Sequence, residues 1–450
     1  MDNLVPKRGV RMKNDYQDRS VAVLGFGRSG RAATDFLLQK GAKVTVYTES
    51  EPDPAQASKA AANGAAFRVG RFPEVFLQEL LVRSPILRPD LPPIVASLRR
   101  GAVLTSETEL FFAHSKARII GVTGSDGKTT TSNLIALLLR GAGHSVYLGG
   151  NNGTPLLPVA ERMRSTDFAV VELSSFQLMT LRKSPLIGVI TNITPNHLNW
   201  HRDMGEYITA KRKIAGDGMR FLAYNSDCPT TAQAIRQLSV PTVAFAVRGE
   251  NMMLTEGGKT DTVLAPKRFS LPGRHNLENL AAAYAAARPF VTLDDMDRAV
   301  ADFHGVPHRL QYVDTVGGVR FYNSSIDTTP TRTAAALAAL GGRPIVIAGG
   351  RGKGVSFAPL AEVMASRASA VCLYGEAAEE MAAAMGAHVV THRFQAFEAA
   401  FYAAAKMANR GETVLLSPAC TAFDQFRDFE HRGRVFCDLV RQLKKETMPS

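Results

Sequence analysis

The run Gly121-Val-Thr-Gly-Ser-Asp-Gly-Lys128-Thr129-Thr130 puts glycines, a lysine and hydroxyls on one short turn, between the apolar segment ARIIGV and the segment TTSNLIALLL. Glycines let a backbone fold tightly enough for successive N–H groups to point inward, and a helix starting at the lysine adds its positive end. Such a nest holds phosphate oxygens. Lys128 would reach terminal phosphates and the Thr129 hydroxyl would suit a magnesium ion, together offsetting the charge that builds up in phosphoryl transfer. Gly124, Ser125, Asp126, Gly127 and Thr130 complete the candidate nucleotide loop. Its spacing departs from the usual phosphate loop, because five residues instead of four separate Gly121 from Gly127.

Other residues carry weaker chemical signals. Gly25-Phe26-Gly27-Arg-Ser29-Gly30 follows the apolar segment VAVL and has the form of a dinucleotide fingerprint. Glu172 closes the apolar run DFAVVEL, a carboxylate at the C-terminal end of a strand, where sites on parallel sheets open. Asn276 and Asn279 of HNLEN are amides at helical spacing that can face one ligand, and Arg309 in PHR can meet phosphate bidentately.

The elements that must position these groups repeat one pattern. From Val21 an apolar β-branched strand, a glycine-rich turn and an alanine- and leucine-rich helix (SGRAATDFLLQKG) lead to a second strand, KVTVYT, which implies right-handed βαβ units on a parallel sheet. A second series restarts at ARIIGV, with FAVVELSS and IGVITNIT as further buried strands. A third begins at FHGVPHRLQYVD, after the helix HNLENLAAAYAAARPF, with RPIVIAGG, ASAVCLYG and ETVLLSPA as its strands. The expectation is an α/β protein of three domains: Rossmann-like over 19–113, P-loop ATPase-like over 114–306 and Rossmann-like over 307–450. Residues 1–18 read as a disordered polar extension.

Composition narrows the class. A chain of 450 residues, 45% hydrophobic and 21% charged, can bury large cores and is too long for one comfortable domain. No run approaches the roughly 18 to 20 apolar residues that span a bilayer, and the first residues lack the apolar core of a secretory signal, so a cytoplasmic monomer without membrane partners is expected. Cys228, Cys372, Cys420 and Cys437 have no metal-ligand spacing and read as free buried thiols. The formal charge of +12 is spread along the chain, which suits small anionic substrates better than nucleic acid. A nicotinamide-dependent dehydrogenase would rest on Gly25, Gly27 and Gly30 alone and would leave the Lys128 loop unexplained.

The strings TGSDGKTTT, VVELSSFQL, ITNITPNHLNWH, YITAKRKI, GRHNLENLAAA, VPHRLQ, GGRGKGVSF and LLSPACTAFDQF occur in that order, and over about residues 20–440 the chain resembles the Mur ligase family. The resemblance implies an amide-bond ligase that uses ATP and Mg2+ to turn an acid into an acyl phosphate, which an amino acid then attacks. UDP-N-acetylmuramoyl-L-alanine is the implied acid and D-glutamate the implied amine, with another amino acid such as L-glutamate as the alternative. Lys128, His197 and Lys211 are the implied catalytic residues. Thr129, Glu172, His197 and a carbamylated Lys211 are the implied metal ligands, with Lys213 competing for the role of Lys211. Asn276, Asn279 and Arg309 would complete the ATP site.

The same resemblance implies that Gly25, Phe26, Gly27, Ser29, Thr48, Ser84 and Pro85, with Asn151, Ser174 and Gln177, hold the uridine diphosphate sugar, and that Thr328, Lys353, Phe423 and Phe429 hold the amino acid. Three departures stand out. The family's Asn-Asp-Ser-Lys-Ala-Thr is Asn323-Ser324-Ser-Ile326-Asp327-Thr328, its Ser-Phe or Ser-Leu before Asp-Gln is Ala422-Phe423, and the glycine after Ser84-Pro85 is Ile86. Asp327 and Thr421 are expected to supply the missing acid and hydroxyl.

Overall fold

The computed structural model describes residues 16–447, apart from 152, 270, 272, 302 and 304. The extension expected over 1–18 lies outside the described residues as far as residue 15. Tyr16 itself is buried, its ring against Phe36 and its hydroxyl 3.0 Å from His114 Nε2.

A first sheet contains β1 (Ser20–Leu24), β2 (Lys43–Thr48), β3 (Ala66–Val69), β4 (Leu80–Arg83) and β5 (Val103–Thr105), all parallel, in the order β3-β2-β1-β4-β5. Val21, Val23, Leu80 and Leu81 are fully buried, which is why β1 and β4 read as unbroken apolar runs: helices cover both faces of a parallel sheet. The order in which successive strands are added reverses between β1 and β4, and there the C-terminal ends of the parallel strands open a crevice.

The second sheet has the order β13-β12-β11-β10-β9-β6-β8-β7. Its parallel part is β6 (Arg118–Thr123), β7 (Val146–Gly150), β8 (Phe168–Glu172), β9 (Ile187–Ile190), β10 (Phe221–Asn225) and β11 (Thr242–Arg248). Antiparallel strands β12 (Asn251–Glu256) and β13 (Lys259–Leu264) extend one edge. The helix Lys128–Gly141 leaves β6 and packs along the helix Arg274–Ala287, whose run of buried alanines lets the two axes approach closely.

The third sheet is ordered β14-β15-β19-β16-β17-β18. It comprises β14 (Gln311–Val316), β15 (Val319–Asn323), β16 (Ile345–Gly349), β17 (Ala370–Tyr374), β18 (Thr391–Phe394) and β19 (Thr413–Ala419), parallel except for the β14–β15 hairpin. After residue 302 the chain divides into two compact units, the first carrying two sheets and the second carrying the third. Among the described residues no helix is long and apolar enough to cross a membrane.

Candidate active site

The turn after β6 is built as a cradle. Gly127, at φ 77°, caps the helix Lys128–Gly141 in a left-handed conformation, and a Cβ there would collide with the carboxamide oxygen of Asn279. Neighbouring segments tie the rest of the turn down. Ser125 Oγ donates to the Thr194 carbonyl at 2.8 Å and lies 2.9 Å from the Tyr207 hydroxyl, while the Asp126 N–H donates to Asn192 Oδ1 at 2.9 Å. Thr191 Oγ1 donates to the Asp126 carbonyl at 2.6 Å. Asn279 also accepts from Thr131 Oγ1 and reaches Asn276, so the amide pair read from helical spacing meets the loop. Thr129 is buried and Thr130 half-buried on the first helical turn.

Positive charge converges on this cradle. Lys128 Nζ donates to the carbonyls of Gly124 at 3.0 Å and Ser125 at 2.8 Å, and Lys211 Nζ donates to the same Gly124 oxygen at 2.7 Å. Burial, then the charge of Lys128, holds the Lys211 ammonium well below the usual lysine range. Its rival Lys213 instead donates to the Met179 carbonyl at 2.5 Å, so the two lysines face different groups. His197 has φ 55° and remains open to solvent on one side. Enclosure of its other side, then the charges of Lys128 and Lys211, hold its imidazole below the usual range.

Glu172 supplies the opposite sign. It pairs with Val122 in the β6–β8 register, one residue short of the end of β6, and is 2% exposed. Asn151 Nδ2 donates to Glu172 Oε1 at 2.8 Å, while Oε2 accepts no hydrogen bond from the described residues. A buried carboxylate oxygen left this way is costly unless something else occupies it.

The crevice of the first sheet gathers another set. Gly25 and Ser84 close it from β1 and β4: a Cβ on Gly25 would stand 3.1 Å from that of Ser84. Phe26 packs edge-on against Phe67, Gly27 and Ser29 start the helix Arg28–Gln39 region, and buried Thr48 donates to the Ser50 carbonyl at 2.6 Å. Ser174 and Gln177 are committed elsewhere, forming a capping box at the helix Ser175–Leu178, with Gln177 Nε2 also donating to Thr108 at 3.0 Å. Sequence reasoning missed Arg83, a fully enclosed cation whose guanidinium donates to the carbonyls of Pro85 at 2.9 Å and Phe176 at 2.7 Å. Burial pulls it down to about 10. An arginine inside the apolar run LLVR was the available signal.

In the second unit Lys353 Nζ donates to Thr328 Oγ1 at 3.1 Å, joining two of the four amino-acid candidates. The Phe429 carbonyl accepts from Ser325 Oγ at 2.7 Å, whereas Phe423 is 61% exposed. Asp327 is buried, accepts from Ser417 Oγ at 2.9 Å and is pushed up to about 6, burial outweighing its hydrogen bonds and the charges of Arg332 and Arg309. Thr421 Oγ1 donates to the Arg351 carbonyl at 2.9 Å, and Arg309 is exposed near the start of the unit.

Comparison with known proteins places these features. Residues 122–287 match the model of the Mur ligase middle domain and residues 308–420 that of the Mur ligase, glutamate ligase domain. UDP-N-acetylmuramoylalanine--D-glutamate ligase from Ruminiclostridium cellulolyticum is 33% identical over 96% of this chain and 98% of its own length. The protein of the same name from Clostridium kluyveri is 36% identical over 96% of this chain and 100% of its own. The crystal structure of MurF from Acinetobacter baumannii is alike in fold, with a TM-score of 0.53 at 17% identity over 93% of each chain. With its cradle, its paired lysines and this likeness running almost end to end, the chain belongs to the Mur ligase family.

Proposed function

We propose that this chain joins D-glutamate to UDP-N-acetylmuramoyl-L-alanine at the expense of ATP, in the synthesis of peptidoglycan precursors. Ligases of this family form amide bonds and depend on ATP. Relatives alike over nearly the whole chain carry D-glutamate in their names, which favours it over the L-glutamate alternative. The observation that carries the reading is the meeting of Lys128 and Lys211 at one carbonyl oxygen of a glycine-rich turn. The Lys128 ammonium and the inward-facing N–H groups of this turn favour an anion of high charge, while burial holds the neighbouring Lys211 toward its neutral form.

The chemistry follows from that potential. The substrate carboxylate attacks the γ-phosphorus of ATP, ADP leaves, and an acyl phosphate forms. The amine of the amino acid then attacks the acyl carbon, inorganic phosphate leaves and the amine gives up a proton. Lys128 and the N–H groups of residues 124–127 offset charge on the transferring phosphate, and Asn276 and Asn279 hold the nucleotide. One observation fits magnesium: Glu172 has a buried oxygen that takes no hydrogen bond from the described residues, the kind of donor this ion prefers, and with it Thr129 and His197 would be its ligands. Bound there, the ion would neutralise the β,γ-oxygens. Burial favours the neutral amine of Lys211, the form that takes up carbon dioxide, so a carbamate at Lys211 is part of this reading.

The crevice between β1 and β4, with Ser84, Pro85 and Thr48, takes the uridine diphosphate, and Thr328, Lys353, Phe423 and Phe429 take the amino acid. Three functional domains, over 19–113, 114–306 and 307–450, and a monomer in the cytoplasm complete the proposal. The test is ADP release from purified protein with ATP, Mg2+, UDP-N-acetylmuramoyl-L-alanine and a panel of amino acids. D-glutamate is expected to give the highest rate; preference for L-glutamate would reject the naming of the amine, and no ADP with any amine would reject the ligase reading.

A further inference from the structure

Residues 86–90, just past β4, are fastened to residues 200–206 of the second sheet's site loop. Arg88 donates to Asp90 (Nε to Oδ1, 2.9 Å; Nη2 to Oδ2, 3.0 Å) and to Glu206 (Nη2 to Oε1, 2.9 Å; Nη1 to Oε2, 3.1 Å). Its Nη1 also donates to the Trp200 carbonyl at 2.6 Å, and its guanidinium lies 5.1 Å from the centre of the Trp200 ring. The indole N–H donates back to the Ile86 carbonyl at 2.7 Å. Asp90 pairs further with Arg202, and Glu206 lies 3.3 Å from Nδ1 of the buried His201. Two cations and two anions balance, and the side chains of Arg88, Asp90 and Glu206 are 21%, 17% and 11% exposed. Of the four only Arg202 reaches well into solvent, at 58% exposed; a self-neutralised network of this kind holds segments together and leaves little charge for an outside ligand.

Each end of the fastening carries a group of the site. Ser84 and Pro85 precede it on one side. On the other, the His197 carbonyl accepts from the N–H groups of Trp200 at 3.0 Å and His201 at 2.9 Å, so these residues set the turn that holds His197 at positive φ. Glu206 lies in the first turn of the helix Met204–Arg212, and Lys211 lies in its last turn. We infer that Arg88 is a positioning residue for the ligation: it makes the placement of His197 and Lys211 depend on the segment at 84–86, so that filling the uridine-nucleotide crevice is felt at the phosphate cradle. This rests on the ligase reading above.

Trp200 is the single tryptophan of the chain and reports the fastening directly. Its emission is recorded while full-length protein is titrated with UDP-N-acetylmuramoyl-L-alanine, with UDP alone and with ADP. Either uridine nucleotide is expected to change wild-type emission; Arg88→Ala shifts the starting emission to the red and abolishes that response. In the same variant kcat falls about 10- to 100-fold, the scale of a misplaced reacting group, while KM for ATP stays within about twofold. Arg88→Lys recovers little, since one ammonium cannot bridge two carboxylates and a carbonyl. Glu206→Gln, a milder change, gives the same split at smaller size.

A wild-type tryptophan signal indifferent to uridine nucleotides, or a response that survives in Arg88→Ala, would overturn the inference. So would a loss of ATP affinity in proportion to kcat, the mark of general damage. Absence of ADP formation by the wild type would instead reject the ligase reading, and the uridine titrations would still decide the coupling.

Discussion

The two glycine-rich turns that leave β1 and β6 share a local plan, a parallel strand, a glycine turn and a helix, yet they use their glycines differently. In the first, a Cβ on Gly30 would run into the Gly25 carbonyl, so the glycine lets the helix sit close on the strand, while Gly27 has open space around it. The turn's own cation, Arg28, points away to the Gly153 carbonyl at 3.0 Å. In the second, Gly124 and Gly127 press against Thr191 and Asn279, residues from distant segments, and two lysines meet at one carbonyl. The same backbone device is thus a site for close packing in one sheet and a cradle that gathers two lysine side chains in the other. The distinction is made by side chains that the rest of the fold delivers.

Four substitutions test that contrast. Lys128→Ala should lower ADP formation about 10³-fold, because the remaining N–H groups cannot offset the β,γ charge; turnover near wild type would mean the charge is concentrated elsewhere. Gly127→Ala forces a left-handed alanine against Asn279, at a cost of about 1–2 kcal/mol for the backbone alone, and should raise KM for ATP more than it lowers stability in urea unfolding. In the first turn, Gly30→Ala should destabilise by about 1–3 kcal/mol through the backbone clash with KM for ATP unchanged. Gly27→Ala, at φ −70° with nothing within 4 Å of the added Cβ, should stay within about 0.5 kcal/mol of wild type. Equal effects at Gly27 and Gly30, or an ATP phenotype from either, would break the comparison.

Much of this was legible beforehand. The apolar runs VAVL, ARIIGV, FAVVE and IGVI became strands β1, β6, β8 and β9 because burial on both faces demands unbroken apolar residues, and KVTVYT became β2 by alternating buried with half-exposed positions. The nucleotide loop was legible because its glycines, lysine and threonines are consecutive. The antiparallel edge strands β12 and β13 are not legible: β13 is largely exposed, and β12 buries only Met252 and Leu254, too short an alternation to stand out. That the Gln177 carboxamide closes a helix cap and meets Thr108 is not legible in VVELSSFQL, because Thr108 lies far away along the chain. Arg83 and Arg88 were passed over, since a lone arginine in sequence reads as a surface cation, and only its neighbours in space reveal a buried or bridging role.

By itself the sequence determined which short segments could bind phosphate, which runs had to be buried strands, and the order of the family's motifs. Each depends on neighbours along the chain, where geometry is set by a few backbone angles. Tertiary structure alone decided that Lys211 rather than Lys213 meets the Gly124 carbonyl, that one Glu172 oxygen takes no hydrogen bond from the described residues, and that Arg88 bridges two segments. These partners stand 87 and 118 positions apart in the first and last cases. Their meeting follows from the order in which strands are laid into a sheet, and no local periodicity encodes that order.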